Sequence, residues 1–140
     1  MTSKVSIEEL EHFFAANFEG RTDAIPTITH LEAGRAVMEH TPTEEDMRPG
    51  DYVSGPTQMR LADHAAYVAI FTHTGIVPMA VTSNLSMDFL RGCQGDTIVV
   101  DARVVKLGRK LVIINVTITP KGSDKLSSQA VVTYSLPSEF

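Results

Sequence analysis

Apolar positions along the chain follow two different periods. Near the start, Ser6-Ile7-Glu8-Glu9 reads as a capping box, with Ser6 as N-cap and Glu9 reaching back to it. Val5 and Leu10 fall where a hydrophobic staple would place them. The spacing predicts a short helix to about Asn17, with Leu10, Phe13 and Phe14 inward and Gly20 just beyond its end. β-Branched residues in 25–31 and 35–40 flank the break Glu32-Ala33-Gly34, which predicts a hairpin. Pro26 belongs at the strand start, because proline cannot donate to a ladder. Residues 41–53, punctuated by Pro42, Pro49 and Gly50, read as loop.

Ser54-Gly55-Pro56-Thr57 then opens a second helix, over 56–74, with proline at its favoured first position and Gly75 closing it. At ~1.5 Å per residue it spans roughly 28 Å. Ala62, Ala65, Ala66 and Ala69 let a sheet approach closely, and the helix is apolar over much of its surface, so it belongs at the centre. After Pro78 the period becomes two. Strands are expected over 79–90, 97–106, 110–119 and 125–136, joined by tight turns into a four-strand antiparallel meander. The expected architecture is α+β: one curved six-stranded antiparallel sheet wrapped around one long helix. A single domain over 1–140 would hold a leading helix in 1–20, the central helix in 54–75 and the meander in 79–137.

Composition narrows the function. At 140 residues the chain has room for one domain, with no separate cofactor domain. Its formal net charge of −5 argues against a nucleic-acid partner, though a local basic site for a phosphorylated small molecule is compatible with it. The single cysteine, Cys93, can form neither an internal disulfide nor a cysteine-rich zinc site, and suits a reducing compartment. Residues 1–11 lack an apolar signal core, and no apolar run approaches the ~20 residues that span a bilayer. A cytoplasmic protein without a membrane partner is expected.

Candidate chemistry concentrates between Ser54 and Arg91. Asp63 lies in the middle of the most apolar helix, where a carboxylate needs a partner or a purpose. A solvated or salt-bridged side chain is the plain alternative. Gly55 sits at the start of the same helix, where free N–H groups and the positive dipole end can hold an oxyanion; a mere turn glycine is the alternative. Eight residues separate the two, about 12 Å along one helix. They cannot both touch one reacting carbon within a chain. If they cooperate, the second comes from an antiparallel helix of a partner subunit, which makes the active form a two-fold homodimer.

Other residues offer less. His64 adjoins Asp63, but helix neighbours diverge by about 100°, so a structural role is favoured over a dyad. Tyr67, one turn on, either lines an acyl pocket or simply packs. His30, His40 and His73 lack ligand spacing with carboxylates, so no metal is expected. Cys93 has no evident activating partner. Met59, Met79 and Met87 fit core or pocket filling. Neither a phosphate-cradling glycine loop nor G-x-S-x-G is present.

The run Ser54-Gly55-Pro56-Thr57-Gln58-Met59-Arg60-Leu61-Ala62-Asp63 resembles, without a gap, the His-Gly-Gly…Leu-Ala-Asp segment of hotdog-fold acyl-CoA thioesterases of the phenylacetate-degradation and 4-hydroxybenzoyl types. Ala80-Val81-Thr82-Ser83-Asn84-Leu85-Ser86-Met87-Asp88-Phe89-Leu90-Arg91 is similar to that family's central strand, and Gly95-Asp96 and Lys106-Leu107-Gly108-Arg109-Lys110 to its turns. The likeness covers 48–137. It implies a hotdog fold, with the Met79 strand at or near the sheet's centre, and hydrolysis of an acyl-CoA thioester. Asp63 would be general base or nucleophile, Gly55 N–H would polarise the carbonyl, and Thr82 would assist the carboxylate or water. Arg91, Gly108, Arg109 and Lys110 would lie near the coenzyme A phosphates, with Ser54, Arg48 and Tyr67 also on the substrate. No cofactor is implied, since coenzyme A arrives with the substrate; a homodimer, or a dimer of dimers, is. The sequence departs from the family pattern at Ser54 for histidine, Pro56 for the second glycine and Arg48 for asparagine. A non-catalytic acyl-CoA binder and a hotdog hydratase are the alternatives.

Overall fold

The computed structural model of the protein describes residues 2–17 and 25–138; Gly20 lies outside them. Helix α1, Ile7–Asn17, starts as the capping box requires: Ser6 N–H donates to Glu9 Oε1 and Glu9 N–H to Ser6 Oγ, both at 3.1 Å. Val5 and Leu10 are both buried beside it. A hairpin follows, β1 (Thr27–Glu32) and β2 (Arg35–His40), with Pro26 just ahead of the first strand. The long helix α2, Gly55–Thr74, begins one residue earlier than the sequence pattern suggests. It ends at Gly75, whose φ of 79° lies in the left-handed region and whose N–H donates to Phe71 O.

Residues 41–53 are more ordered than loop chemistry indicates. A short 3₁₀ turn, Glu44–Asp46, leads into a two-stranded ladder of β3 (Met47–Arg48) and β4 (Tyr52–Val53). Strands of two residues are too short to show a period, so the hydrophobic pattern could not reveal them.

Strands β5 (Val81–Phe89), β6 (Ile98–Leu107), β7 (Leu111–Pro120) and β8 (Ser128–Ser135) complete one six-stranded antiparallel sheet of order β1-β2-β6-β7-β8-β5. This corrects the expected four-strand meander. Only β6, β7 and β8 run as one; β5 pairs with β8 and lies at the sheet's edge rather than near its centre. The chemistry of the strands explains the order. β7 buries Val112, Ile114, Val116 and Ile118 in strict alternation, as an interior strand does. β5 carries Thr82, Ser83, Asn84, Ser86 and Asp88, and none of its residues is fully buried.

The sheet wraps α2. Leu61, Ala62, Ala65, Ala66, Ala69 and Ile70 pack without exposure against Ala36, Met38, Val100, Ile114 and Val132. The four alanines bring helix and sheet into close approach. The register also sets two ends of the sheet. Ser128 lies between Phe89 and Ile118, and Ser135 between Val81 and Leu111. At ~3.3 Å per residue these two rows stand roughly 23 Å apart. The start of α2 lies at the first end, where Ser128 Oγ donates to Gln58 Oε1 at 2.7 Å, and Asp63 lies toward the second, beside Tyr134.

Candidate active site

Asp63 faces the strands from the middle of α2. Its Oδ1 accepts the Thr82 hydroxyl at 2.6 Å and the Tyr134 hydroxyl at 2.9 Å. Thr82 and Tyr134 are directly paired across the β5–β8 ladder, so one register position delivers both donors. The carboxylate is therefore held by neutral hydroxyls rather than by a cation, and among the described residues no donor bonds Oδ2. Burial pushes the Tyr134 phenol well above the usual tyrosine range. A hydrogen bond with Thr82 pulls the other way, and the negative Asp63 adds to the rise. Tyr134 thus stays protonated and remains a donor. His64 points away from this group, toward α1, its ring 4.6 Å from that of Phe14. Burial above all, then the charge of Arg60, pulls its pKa down to about 4 against the opposing effect of Asp63, so it is neutral near pH 7.

At the start of α2 the orphan donors can be accounted for one by one. Ser54 is the N-cap, its Oγ accepting from Thr57 N–H at 3.3 Å. Pro56 has no N–H. Gln58 N–H donates to Ser54 O at 3.1 Å. That leaves Gly55 N–H, which has no acceptor among the described residues. A side chain at Gly55 would meet the ring of Phe89, whose Cζ lies 3.4 Å from the position of an added Cβ. This end of the helix is tied down by Asp46. Its carbonyl accepts Ser54 N–H at 2.8 Å, and its buried carboxylate bonds His40 at 2.8 Å, Thr43 N–H at 2.9 Å and, more loosely, Thr57 and Arg60 at 3.4 Å. Burial would raise the Asp46 pKa, but the bonds from Thr43 and His40 and the charge of Arg60 outweigh it and hold it below the usual carboxylate range.

The candidate phosphate ligands divide between the two ends of the sheet. Arg91 follows β5 at the Gly55 end, where its Nη1 donates to Leu126 O at 2.7 Å. Arg109 and Lys110 belong to the β6–β7 turn at the Asp63 end, with Leu136 N–H on Lys110 O. There Lys106, Gly108, Arg109, Lys110, Leu111 and Ile113 line an open hollow of about 410 Å³. Gly108 permits the turn: its N–H donates to Leu111 O, and an added Cβ would stand 2.7 Å from that oxygen. One chain therefore has a fixed carboxylate and a basic turn at one end, and a spare N–H donor and Arg91 at the other.

A model of the thioesterase superfamily matches residues 50–127, a stretch that includes Gly55, Asp63 and Thr82. The chain belongs to the thioesterase superfamily. The crystal structure of a candidate thioesterase from Silicibacter sp. is 30% identical, over 98% of this chain and 95% of that one, with a TM-score of 0.86. The Escherichia coli PaaI protein of the phenylacetic acid degradation operon is 22% identical, covering 94% of this chain and 93% of its own, with a TM-score of 0.79. A Streptococcus mutans protein bound to acetyl-CoA is 21% identical, covering 79% of this chain and 86% of its own, at a TM-score of 0.69. Comparison with curated proteins found no match. The hotdog architecture expected from the sequence is the one this superfamily member has.

Thr82 meets Asp63 within the chain, while Gly55 is displaced from it along α2. Ser54 is engaged as the helix cap, and Arg48 is exposed on β3 opposite Tyr52. Tyr67 packs: its hydroxyl donates to Pro78 O at 2.9 Å and its ring lies against Phe71 and Tyr134. Tyr134 is the residue the sequence reading missed. Its proximity to Asp63 follows from β8 pairing with β5, a relationship the consecutive meander did not contain.

Proposed function

We propose that the protein hydrolyses acyl-CoA thioesters as a homodimer. The observation that carries this reading is a carboxylate fixed through one oxygen with the other oxygen unengaged, in a chain whose central helix also begins with one spare N–H. In an antiparallel pairing of two central helices, each Asp63 approaches Gly55 of the other chain. The thioester carbonyl lies at the helix start, polarised by Gly55 N–H. Asp63 Oδ2 takes a proton from water as the water oxygen bonds to the carbonyl carbon. The negative charge develops on the oxygen facing Gly55. Collapse of the intermediate breaks the C–S bond, and the proton passes to the departing thiolate. Direct attack by Asp63 uses the same oxygen: it bonds to the carbonyl carbon as the C–S bond breaks and the thiolate leaves, and water then opens the mixed anhydride to the free acid while the proton left on Asp63 passes to the thiolate. No cofactor is required.

The same pairing brings Arg91 of one chain to the end of the site that holds Arg109 and Lys110 of the other, three cations for the phosphates of one coenzyme A. The edge strand β5, with Val81 and Phe89 at 56% and 51% exposure and Met79 at 72% in the turn before it, supplies an apolar border and unpaired backbone for a second copy. Among the described residues no helix is long and apolar enough to cross a membrane. With Cys93 buried and unpaired, a cytoplasmic setting fits.

Ser54, standing where related enzymes have histidine and occupied with capping, favours one second reading: an acyl-CoA binder without turnover. Thiol release measured over a panel of aromatic and medium-chain acyl-CoAs separates the two. Turnover of at least one acyl class supports hydrolysis; saturable binding with no thiol release from any supports the binder.

A further inference from the structure

We propose that Tyr134 is a positioning residue that fixes the rotamer of Asp63 and so assigns Oδ2 as the reacting oxygen; this rests on the hydrolase reading above. The Tyr134 hydroxyl lies 2.9 Å from Asp63 Oδ1 and 3.1 Å from Asp63 O. Both acceptors belong to one residue, so a single hydroxyl ties the side chain of Asp63 to its own backbone. An aspartate has two rotatable bonds, and without such a tie its two oxygens exchange places. The Thr82 hydroxyl, at 2.6 Å, reaches the same Oδ1 and leaves Oδ2 to the site.

The two donors differ in stiffness. Thr82 is exposed, on an edge strand, beside a register shift between Thr82 and Asn84. Tyr134 is buried on an interior strand. Its ring stacks on Tyr67 at 5.8 Å and 29°, and Tyr67 is itself anchored to Pro78 O. Tyr134 is thus the rigid half of the pair. Because its phenol keeps its proton, it acts only as a donor and does not compete with Asp63 for the base role. Thr82 from β5 and Tyr134 from β8 bond the carboxylate; His64 of α2 feels its charge and that of Arg60 while its ring lies against Phe14 of α1, and Tyr67 of α2 backs the Tyr134 ring.

Tyr134→Phe keeps the ring and its stacking and removes only the hydroxyl. Two readouts apply to wild type and variant: steady-state acyl-CoA hydrolysis, and the Hα–Hβ couplings of Asp63 by NMR in the ligand-free protein, which report whether its side chain keeps one rotamer. The expected loss in kcat is about tenfold with KM within about twofold, as for an interaction needed in the transition state. The tie to the side chain is lost, so the couplings move from those of one rotamer toward an average over several. A kcat within about twofold of wild type, or couplings that stay those of one rotamer, overturns the proposal. If the wild type hydrolyses no acyl-CoA, the hydrolase reading fails by itself. The couplings then decide whether Tyr134 holds Asp63: rotamer averaging in the variant upholds the positioning role, and an unchanged rotamer rejects it.

Discussion

Thr82, on the edge strand, donates its hydroxyl to Asp63 of the central helix at 2.6 Å. Nineteen positions of sequence are closed by this one bond, and it couples the exposed border of the sheet to the carboxylate at the candidate reacting centre. An assisting hydroxyl is more easily replaced by water than a base is. Thr82→Ala is therefore expected to lower kcat by less than Asp63→Asn does, by roughly tenfold or under, with the fold intact. Steady-state kinetics with one acyl-CoA substrate checks the order of the two effects.

The Asp46 cluster makes a prediction about pH. The folded-state pKa of this carboxyl is depressed from an ordinary 3.8 by Thr43, His40 and Arg60 acting against burial. Its contribution to stability is therefore complete above the unfolded value and is lost as pH falls through the folded one. At neutral pH, Asp46→Asn is expected to cost about 1–3 kcal/mol, since the bonds to an ionised acceptor are weakened. Urea unfolding should show the gap between wild type and variant narrowing toward pH 3. Curves that stay parallel from neutral pH to that point would remove Asp46 from this role.

Much of this fold can be read from the sequence, and what cannot has a physical cause. The capping box at Ser6 and Glu9, the Pro26 strand start, the alanine-rich helix and the alternating strands are local chemistry, and each element's bounds lie within about three residues of where the pattern places them. Strand order is a tertiary property. Consecutive strands usually pair, but β5 turns away from β6 to border β8. The polar residues Thr82, Ser83, Asn84, Ser86 and Asp88 are the signal that this strand is an edge. Asp63, Gly55 and Thr82 were accessible through the family likeness of their spacing. Tyr134 was not, because its place beside Asp63 depends on the pairing of Thr82 with Tyr134 across two strands distant in sequence.

Sharing of the site between subunits predicts a complementation result. Asp63→Asn and Gly55→Pro should each abolish most activity in homodimers, the second by deleting the spare N–H. A mixed dimer places both lesions in one site and leaves the other intact. Activity should return toward half of wild type per dimer. Mixed dimers that form, verified by differential tags, yet stay inactive would place the site within one chain.

If Asp63 performs the chemistry of thioester hydrolysis as proposed, thiol release must collapse in Asp63→Asn. The variant keeps the shape of the side chain and its place opposite Thr82 and Tyr134 while removing its ability to accept the proton from water or attack the carbonyl. On the acyl-CoA that the wild type turns over best, kcat should fall by about 10²–10⁴ while the substrate still binds. Activity within about twofold of wild type would contradict the account and leave Asp63 as a structural hydrogen-bond acceptor.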